Sequence, residues 1–179
     1  MGGINKLLLP VNGPDGPRPM IAHVTRVVLA AGVRPVMVVV GSQATAEAVA
    51  GFAVACVRCP DPDEGLAASL RCGVAALPAT VAGCLVCLGD MPAVTSRHIR
   101  AVAAAFDPAA GREVCAPVFV GRRWHPVAWG RRYFPELLRL SGDGGAQAVL
   151  SRHGFWPVSV TDDGVLVDVD TPEDAWRLL

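Results

Sequence analysis

An α/β fold with a mainly parallel sheet is what this sequence predicts, and three observations carry the prediction. Short β-branched runs such as "RPVMVVVG" alternate with stretches of helical apolar spacing such as "PMIAHVTRVVLAAG". That alternation is the pattern of β-α-β units joined by right-handed crossovers. Gly, Pro and polar turns punctuate the runs and bound the elements. Hydrophobic residues make up 52% of the 179 residues, enough for one sizeable core, which places residues 1–179 in a single domain.

The elements follow in order. Ile21, Val24, Val28 and Leu29 share one helical face, with Gly32 as the stop. "RPVMVVVG" reads as a buried strand closed by Gly41. "SQATAEAVAG" is a helix with Ser42 at its N-cap and Gly51 after its end, and "AVACVRC" is the next strand. "PDPDEG" is a polar turn and "LAASLRCGVAALP" a helix ended by Pro78. "GCLVCLGDMP" is a strand running into a loop, and "TSRHIRAVAAAF" a helix capped by Thr95. "REVCAPVFVGRRWHPVAWG" holds two apolar runs joined around Gly121-Arg122-Arg123, a hairpin signal. Short helices, "RRYFPELLRL" and "GGAQAVLSRHG", flank the loop "SGDGG". "FWPVSV" and "GVLVDV" read as strands, and "TPEDAWRLL" as a final helix with Thr171 at the N-cap and Pro172 at N1.

Composition narrows the function. Acidic and basic residues balance at 16 each, without the basic stripe that nucleic-acid binding needs. No apolar run is long enough to span a membrane, and no secretory signal opens the chain, so a cytoplasmic protein is expected. The pairs Cys56/Cys59 and Cys84/Cys87 have CxxC spacing, but both fall in strand-like runs. There, residues three apart point to opposite faces, so the expectation is free thiols rather than zinc. Lys6 is the lone lysine in a sequence that otherwise uses arginine for its strong cations, which singles it out.

In an open α/β sheet, ligands bind at the carboxyl ends of the strands. The strand in "LVCLGDMP" delivers Asp90 there, where a carboxylate can hold a hard cation such as Mg2+ or simply shape a turn. "GVLVDVDTPED" supplies Asp168 and Asp170, two apart and on one side of a strand, as candidates for a second metal contact. In "DEGLAASLRCG", Leu66, Ala67, Ala68, Ser69 and Arg71 lie near the start of a helix. Small side chains there let backbone approach a flat base, and equally they are good helix formers. "GRRWHPVAW" gathers Arg122, Arg123, Trp124 and His125, which fits either a phosphate under two guanidinium forks or an exposed basic hairpin. The glycine loop containing Asp143 offers backbone amides beside a carboxylate.

Six segments in order, "NKLLLPVNG", "EGLAASLRCGV", "LGDMP", "GRRWHPVAW", "FPELLRLSGDGGAQAVL" and "GVLVDVDTPED", resemble one family over nearly the whole chain. It is the molybdenum cofactor cytidylyltransferase group, related to molybdopterin-guanine dinucleotide synthase within a larger nucleotidyltransferase superfamily. The resemblance implies a Rossmann-like three-layer α/β/α fold. It implies transfer of CMP from CTP to the phosphate of a molybdopterin-type acceptor, with release of pyrophosphate and with Mg2+. Lys6 matches the triphosphate-contacting lysine, Asp90 the metal-binding aspartate, and Asp168 or Asp170 a second metal contact. "GLAASLR" matches the base-reading segment, where cytidine-type relatives carry "GLSSSLR" and guanosine-type ones a proline-leucine-alanine-glycine pattern. His125-Pro126 and the Gly142-Asp143 loop match the acceptor side, with Arg122 and Arg123 beside them. A molybdoenzyme or its chaperone is the implied protein partner.

In that family a first strand and a glycine-rich phosphate loop precede the lysine segment, whereas this sequence opens on "MGGINKLLL". The expectation is an N-terminally truncated version of the fold that leaves two strands without a ladder partner and binds nucleotide weakly. Two other functions are compatible with the resemblance. One is an NAD(P)H-dependent oxidoreductase of the nicotine blue oxidoreductase type, for which no dinucleotide fingerprint is present. The other is a non-catalytic protein that handles the molybdenum cofactor.

Overall fold

A computed structural model describes residues 5–13, 16–142, 144–169 and 174. The first described elements are a 3-10 turn, Lys6–Leu8, and a short antiparallel pair, β1 (Pro10–Val11) and β2 (Arg18–Pro19). Then come α1 (Met20–Ala30), β3 (Met37–Val40), α2 (Gln43–Val49), β4 (Ala55–Arg58), α3 (Leu66–Ala75), β5 (Gly83–Val86) and α4 (Ser96–Ala105). The second half holds β6 (Val114–Phe119), β7 (Arg122–Arg123), β8 (Val127–Gly130), α5 (Phe134–Leu137), α6 (Gln147–His153) and β9 (Trp156–Ser159). No described helix is long and apolar enough to cross a membrane.

The helices form where local chemistry says they should. Ser42 caps α2 by accepting from the Thr45 N–H at 3.2 Å, while Thr45 Oγ1 accepts from the Ser42 N–H, a closed capping box. Thr95 and His98 make the same reciprocal pair at the start of α4, with the His98 ring nitrogen in place of an oxygen. Just past α1, Gly32 takes φ +81°, the left-handed conformation that ends a helix.

Two sheets result. β3 and β4 pair in parallel, Met37 opposite Ala55. The larger sheet runs β5-β8-β6-β7, and β9 adds to β6 in parallel. β8 is antiparallel to both β5 and β6, so β5, β6 and β9 share one direction and the reversals in this sheet fall to β7 and β8. The hairpin that reverses the chain is a two-residue loop, Val120-Gly121, with φ of +48° and +72°. The main core lies under this sheet, where Trp129, Leu137 and Ala116 are fully buried with Val127, Val149 and Leu150. Trp129 and Tyr133 meet edge to face at 6.0 Å between centroids. Val102 on α4 packs against Cys115 and Ala128 from the opposite face of the sheet.

Three expectations need correction or lie out of view. "GVLVDV" is not a strand: Asp162 Oδ1 accepts the Gly164 N–H at 3.1 Å and starts a 3-10 turn over Asp163–Leu166. A local side-chain turn thus outcompetes the apolar pattern. β3 is not fully buried: Met37, Val38 and Val39 are half-buried, because its edge away from β4 opens onto a cavity. Asp143, Asp170 and the final helix apart from Asp174 lie outside the described residues. The six cysteines are free; burial pushes the thiols of Cys84 and Cys87 up to about 12.

Candidate active site

Asp90 follows β5 through Cys87-Leu88-Gly89, and Lys6 is carried to it by the 3-10 turn Lys6–Leu8. Lys6 Nζ lies 2.7 Å from Asp90 Oδ2. Two local features aim the lysine. Asn5 Oδ1 accepts the Leu7 N–H at 3.1 Å, which sets the turn. Leu7 then anchors it by packing against the cluster of Ile21, Val40 and Val49. Gly89 permits the approach, since a Cβ there would come within 3.2 Å of Leu7. Asp90 is fixed from the other side as well: its carbonyl accepts the Val169 N–H at 3.0 Å, and the His23 ring donates to the Pro92 carbonyl at 3.1 Å. Asp168, exposed, is therefore the residue before the one bonded to Asp90.

Behind this pair a cavity of about 830 Å3 opens between β3 and β5. Lys6, Asp90, Leu66, Ser69, Arg123 and His125 all line it. The structure thus gathers residues from the start, middle and second half of the sequence at one cleft. Among them are expected nucleotide, metal and acceptor contacts.

Not every expected contact faces the cleft. Ala67 and Ala68 are buried, and the Ala67 N–H donates to the Gly142 carbonyl at 3.3 Å. Arg71 donates to the Leu140 carbonyl at 2.6 Å and to Glu64 Oε2 at 2.5 Å, so its head ties the loop before α6 to the turn before α3. With these two partners, Arg71 is absent from the cavity lining. Arg122 is exposed and lies over the Trp124 ring at 5.1 Å, away from the cavity lining.

Arg123 and His125 are the polar groups of the far wall. Arg123 Nη2 donates to Gln147 Oε1, while Arg123 Nη1 and His125 Nδ1 are buried without a hydrogen-bond partner among the described residues. Burial, with the Arg123 charge nearby, lowers the His125 pKa to about 4, so the ring is neutral at physiological pH. Burial also lowers the Arg123 pKa from its ordinary value. Gln147, His23 and Glu64 support the site and were not anticipated. Their partners lie between 7 and 69 residues away, and no local sequence pattern signals such pairs.

As for a metal, Asp90 is a hard oxygen donor at an open cleft, and among the described residues no group of three or more His, Cys, Asp or Glu side chains surrounds it. That donor set fits a cation that takes most of its ligands from phosphate oxygens and water.

The comparisons with known proteins bear on the family and the fold. The family described as a MobA-like NTP transferase domain matches residues 1–156. No curated protein matches the sequence. Among solved structures, Rv0371c from Mycobacterium tuberculosis H37Rv is 27% identical with a TM-score of 0.80, over 98% of this chain and 89% of that one. It has also been solved as a complex with manganese. A nucleotidyl transferase from Methanothermobacter thermautotroptrophicus is 29% identical with a TM-score of 0.80, over 99% of this chain and 84% of that one. The fold is shared more distantly by a CMP:2-keto-3-deoxy-manno-octonic acid synthetase complexed with CTP. That enzyme is 18% identical, with a TM-score of 0.72 over 96% of this chain and 89% of that one. With its Rossmann-like α/β architecture and a family match over most of its length, this chain belongs to the MobA-like NTP transferase domain family and is a nucleotidyltransferase.

Proposed function

We propose that this nucleotidyltransferase moves CMP from CTP to the phosphate of a molybdopterin-type acceptor, acting as one domain over residues 1–179. The observation that carries the reading is the Lys6–Asp90 pair at the mouth of a cavity that Leu66, Ser69, Arg123 and His125 share. An acceptor phosphate oxygen forms a bond to the α-phosphorus of CTP as the α–β bridging bond breaks, and pyrophosphate leaves with the electron pair. Lys6 follows the charge onto the departing pyrophosphate; a compact ammonium on a flexible stem suits that task better than a planar fork. Leu66 and Ser69, with the backbone of Ala67 and Ala68 beside them, offer a narrow face to the cytosine. Arg123 and His125 face the acceptor, with Arg122 beside them, and Asp143 is a further acceptor contact proposed from the sequence alone.

Asp90 would hold Mg2+, joined by Asp168 or Asp170 and by phosphate oxygens; the Val169–Asp90 backbone bond supports bringing that segment to the same end of the sheet. When bound, the cation polarises the α-phosphate and screens the triphosphate. The nucleotidylated acceptor would pass to a molybdoenzyme or its chaperone. The test is label transfer from α-labelled CTP or GTP to the acceptor with magnesium. Transfer from CTP alone, lost in Asp90→Asn, is the expected result. Equal transfer from GTP would overturn the cytidine assignment, and acceptor binding without any transfer would leave cofactor handling in its place.

A further inference from the structure

We infer that Gln147 is a positioning residue for acceptor binding: its amide oxygen holds one end of the Arg123 guanidinium and leaves the other end, still charged, for an anionic group in the cavity. The inference rests on the reading of Arg123 as an acceptor contact and adds the residue that sets its direction. The first observation is how the guanidinium is divided. Arg123 Nη2 donates to Gln147 Oε1, whereas Arg123 Nη1 is buried without a hydrogen-bond partner among the described residues. A guanidinium is planar and its donors form a fixed fork, so holding one nitrogen orients the other. A buried N–H left unpaired is costly, and a ligand that accepts from it removes that cost. His125 Nδ1, on the same wall, is a second buried polar atom without a partner.

The second observation is charge. Among the described residues Asp90 is the one carboxylate of the cavity lining, and it pairs with Lys6. Arg34, also in the lining, donates to the carbonyls of Val33 and Leu29. Arg123 is the remaining cation there, and its partner is a neutral amide. A glutamate of the same shape would hold that nitrogen more firmly but cancel the charge. A glutamine oxygen fixes the geometry and leaves the charge uncompensated, which suits an anion site. Burial already disfavours this charge, so an anion beside it would restore what desolvation takes away. Gln147 is itself exposed, so core packing does not require its side chain.

The third is support. Gln147 opens α6, where its N–H donates to the Gly144 carbonyl at 3.2 Å. Val149 and Leu150 of the same helix are buried in the main core. The loop ahead of it is held by α3: the Ala67 N–H donates to the Gly142 carbonyl, and a Cβ on Gly145 would come within 2.9 Å of Leu66. Gln147 therefore stands on a fixed base between the wall that carries Leu66 and the wall that carries Arg123, as a group that orients another must.

The experiment titrates inorganic phosphate into the parent, Gln147→Glu and Gln147→Ala proteins. The Arg123 Nε–H and His125 ring signals are followed by NMR, with a urea midpoint for each protein. Gln147→Glu should weaken phosphate by about 10-fold or more, the scale of one charged hydrogen bond, while its midpoint stays level or rises. Gln147→Ala should weaken phosphate less, because the charge remains and only its direction is lost. If Gln147→Ala does not fold, the parent and the isosteric Glu variant decide the matter. In label transfer the acceptor KM should rise in Gln147→Glu while the KM for CTP holds. Equal phosphate affinity in Gln147→Glu, or no response of the Arg123 signal in the parent, would overturn the assignment. Weaker phosphate matched by a lower urea midpoint in Gln147→Glu would make Gln147 a structural tie instead. The titration needs no turnover. A protein that moves no CMP but shows these shifts therefore loses the transfer reading and keeps the role of Gln147.

Discussion

Lys6 Nζ and Asp90 Oδ2 sit 2.7 Å apart although the residues stand at opposite ends of the first half of the sequence. The side chains are 36% and 22% exposed, so the pair is reachable by substrate and partly screened by water. Such a pair adds little to folding, about 1 kcal/mol at most. Its expected value lies in turnover. Lys6→Arg and Lys6→Met should keep the unfolding midpoint close to that of the parent while pyrophosphate release falls about 100-fold or more. Full turnover in Lys6→Arg would remove the ammonium from the mechanism.

Arg71 gives a different signature. It bonds a main-chain carbonyl and a carboxylate on two separate segments, Leu140 and Glu64. Arg71→Ala should lower stability by about 1–3 kcal/mol, the range for hydrogen bonds to charged groups. The KM for nucleotide should rise more than kcat falls, because the segment before α6 loosens while the reacting groups stay in place. Steady-state kinetics with urea unfolding separates this from a direct contact, and Arg71→Lys should recover only part of the loss.

What was legible in the sequence was local. Ser42 and Thr95 announced their helices because a cap acts within three residues, and "LGDMP" placed Asp90 because strand and turn are adjacent. Lys6 stood out by composition, yet nothing local shows that it meets Asp90. Arg71 was legible as an arginine near a helix start, not as a tie to Leu140, 69 residues on. The "GVLVDV" run misled because its apolar pattern is genuine while the Asp162–Gly164 turn decides the backbone. Half-burial of β3 is likewise a property of what lies beside the strand, not of its own residues.

His125 sets a pH dependence of stability. Its folded pKa is lowered from 6.5 to about 4, chiefly by burial, so the unfolded chain takes up a proton first as pH falls. Stability is fully present above about 6.5 and declines toward about 4, by up to about 1.4 kcal/mol per pH unit. His23, also lowered by burial, adds to the decline in the same direction. Asp162, lowered by its hydrogen bond from His98, adds its loss only below its ordinary 3.8. Urea midpoints from pH 7 to pH 4 should show the slope, and His125→Gln should flatten it.

Val120 is the last test, and it bears on the fold alone. It is a β-branched residue at φ +48°, in the first position of a two-residue hairpin loop whose second position is glycine at φ +72°. Both values belong to the turn in which Asn-Gly is favoured, and a branched side chain there crowds its own backbone. Val120 is 81% exposed, so replacing it removes no packing. Val120→Asn should therefore stabilise the protein by about 1 kcal/mol, the scale of left-handed strain in a non-glycine residue. Pyrophosphate release should stay unchanged, since the loop tip lies outside the cavity lining. A midpoint that stays level or falls would show that the turn does not hold this conformation in solution.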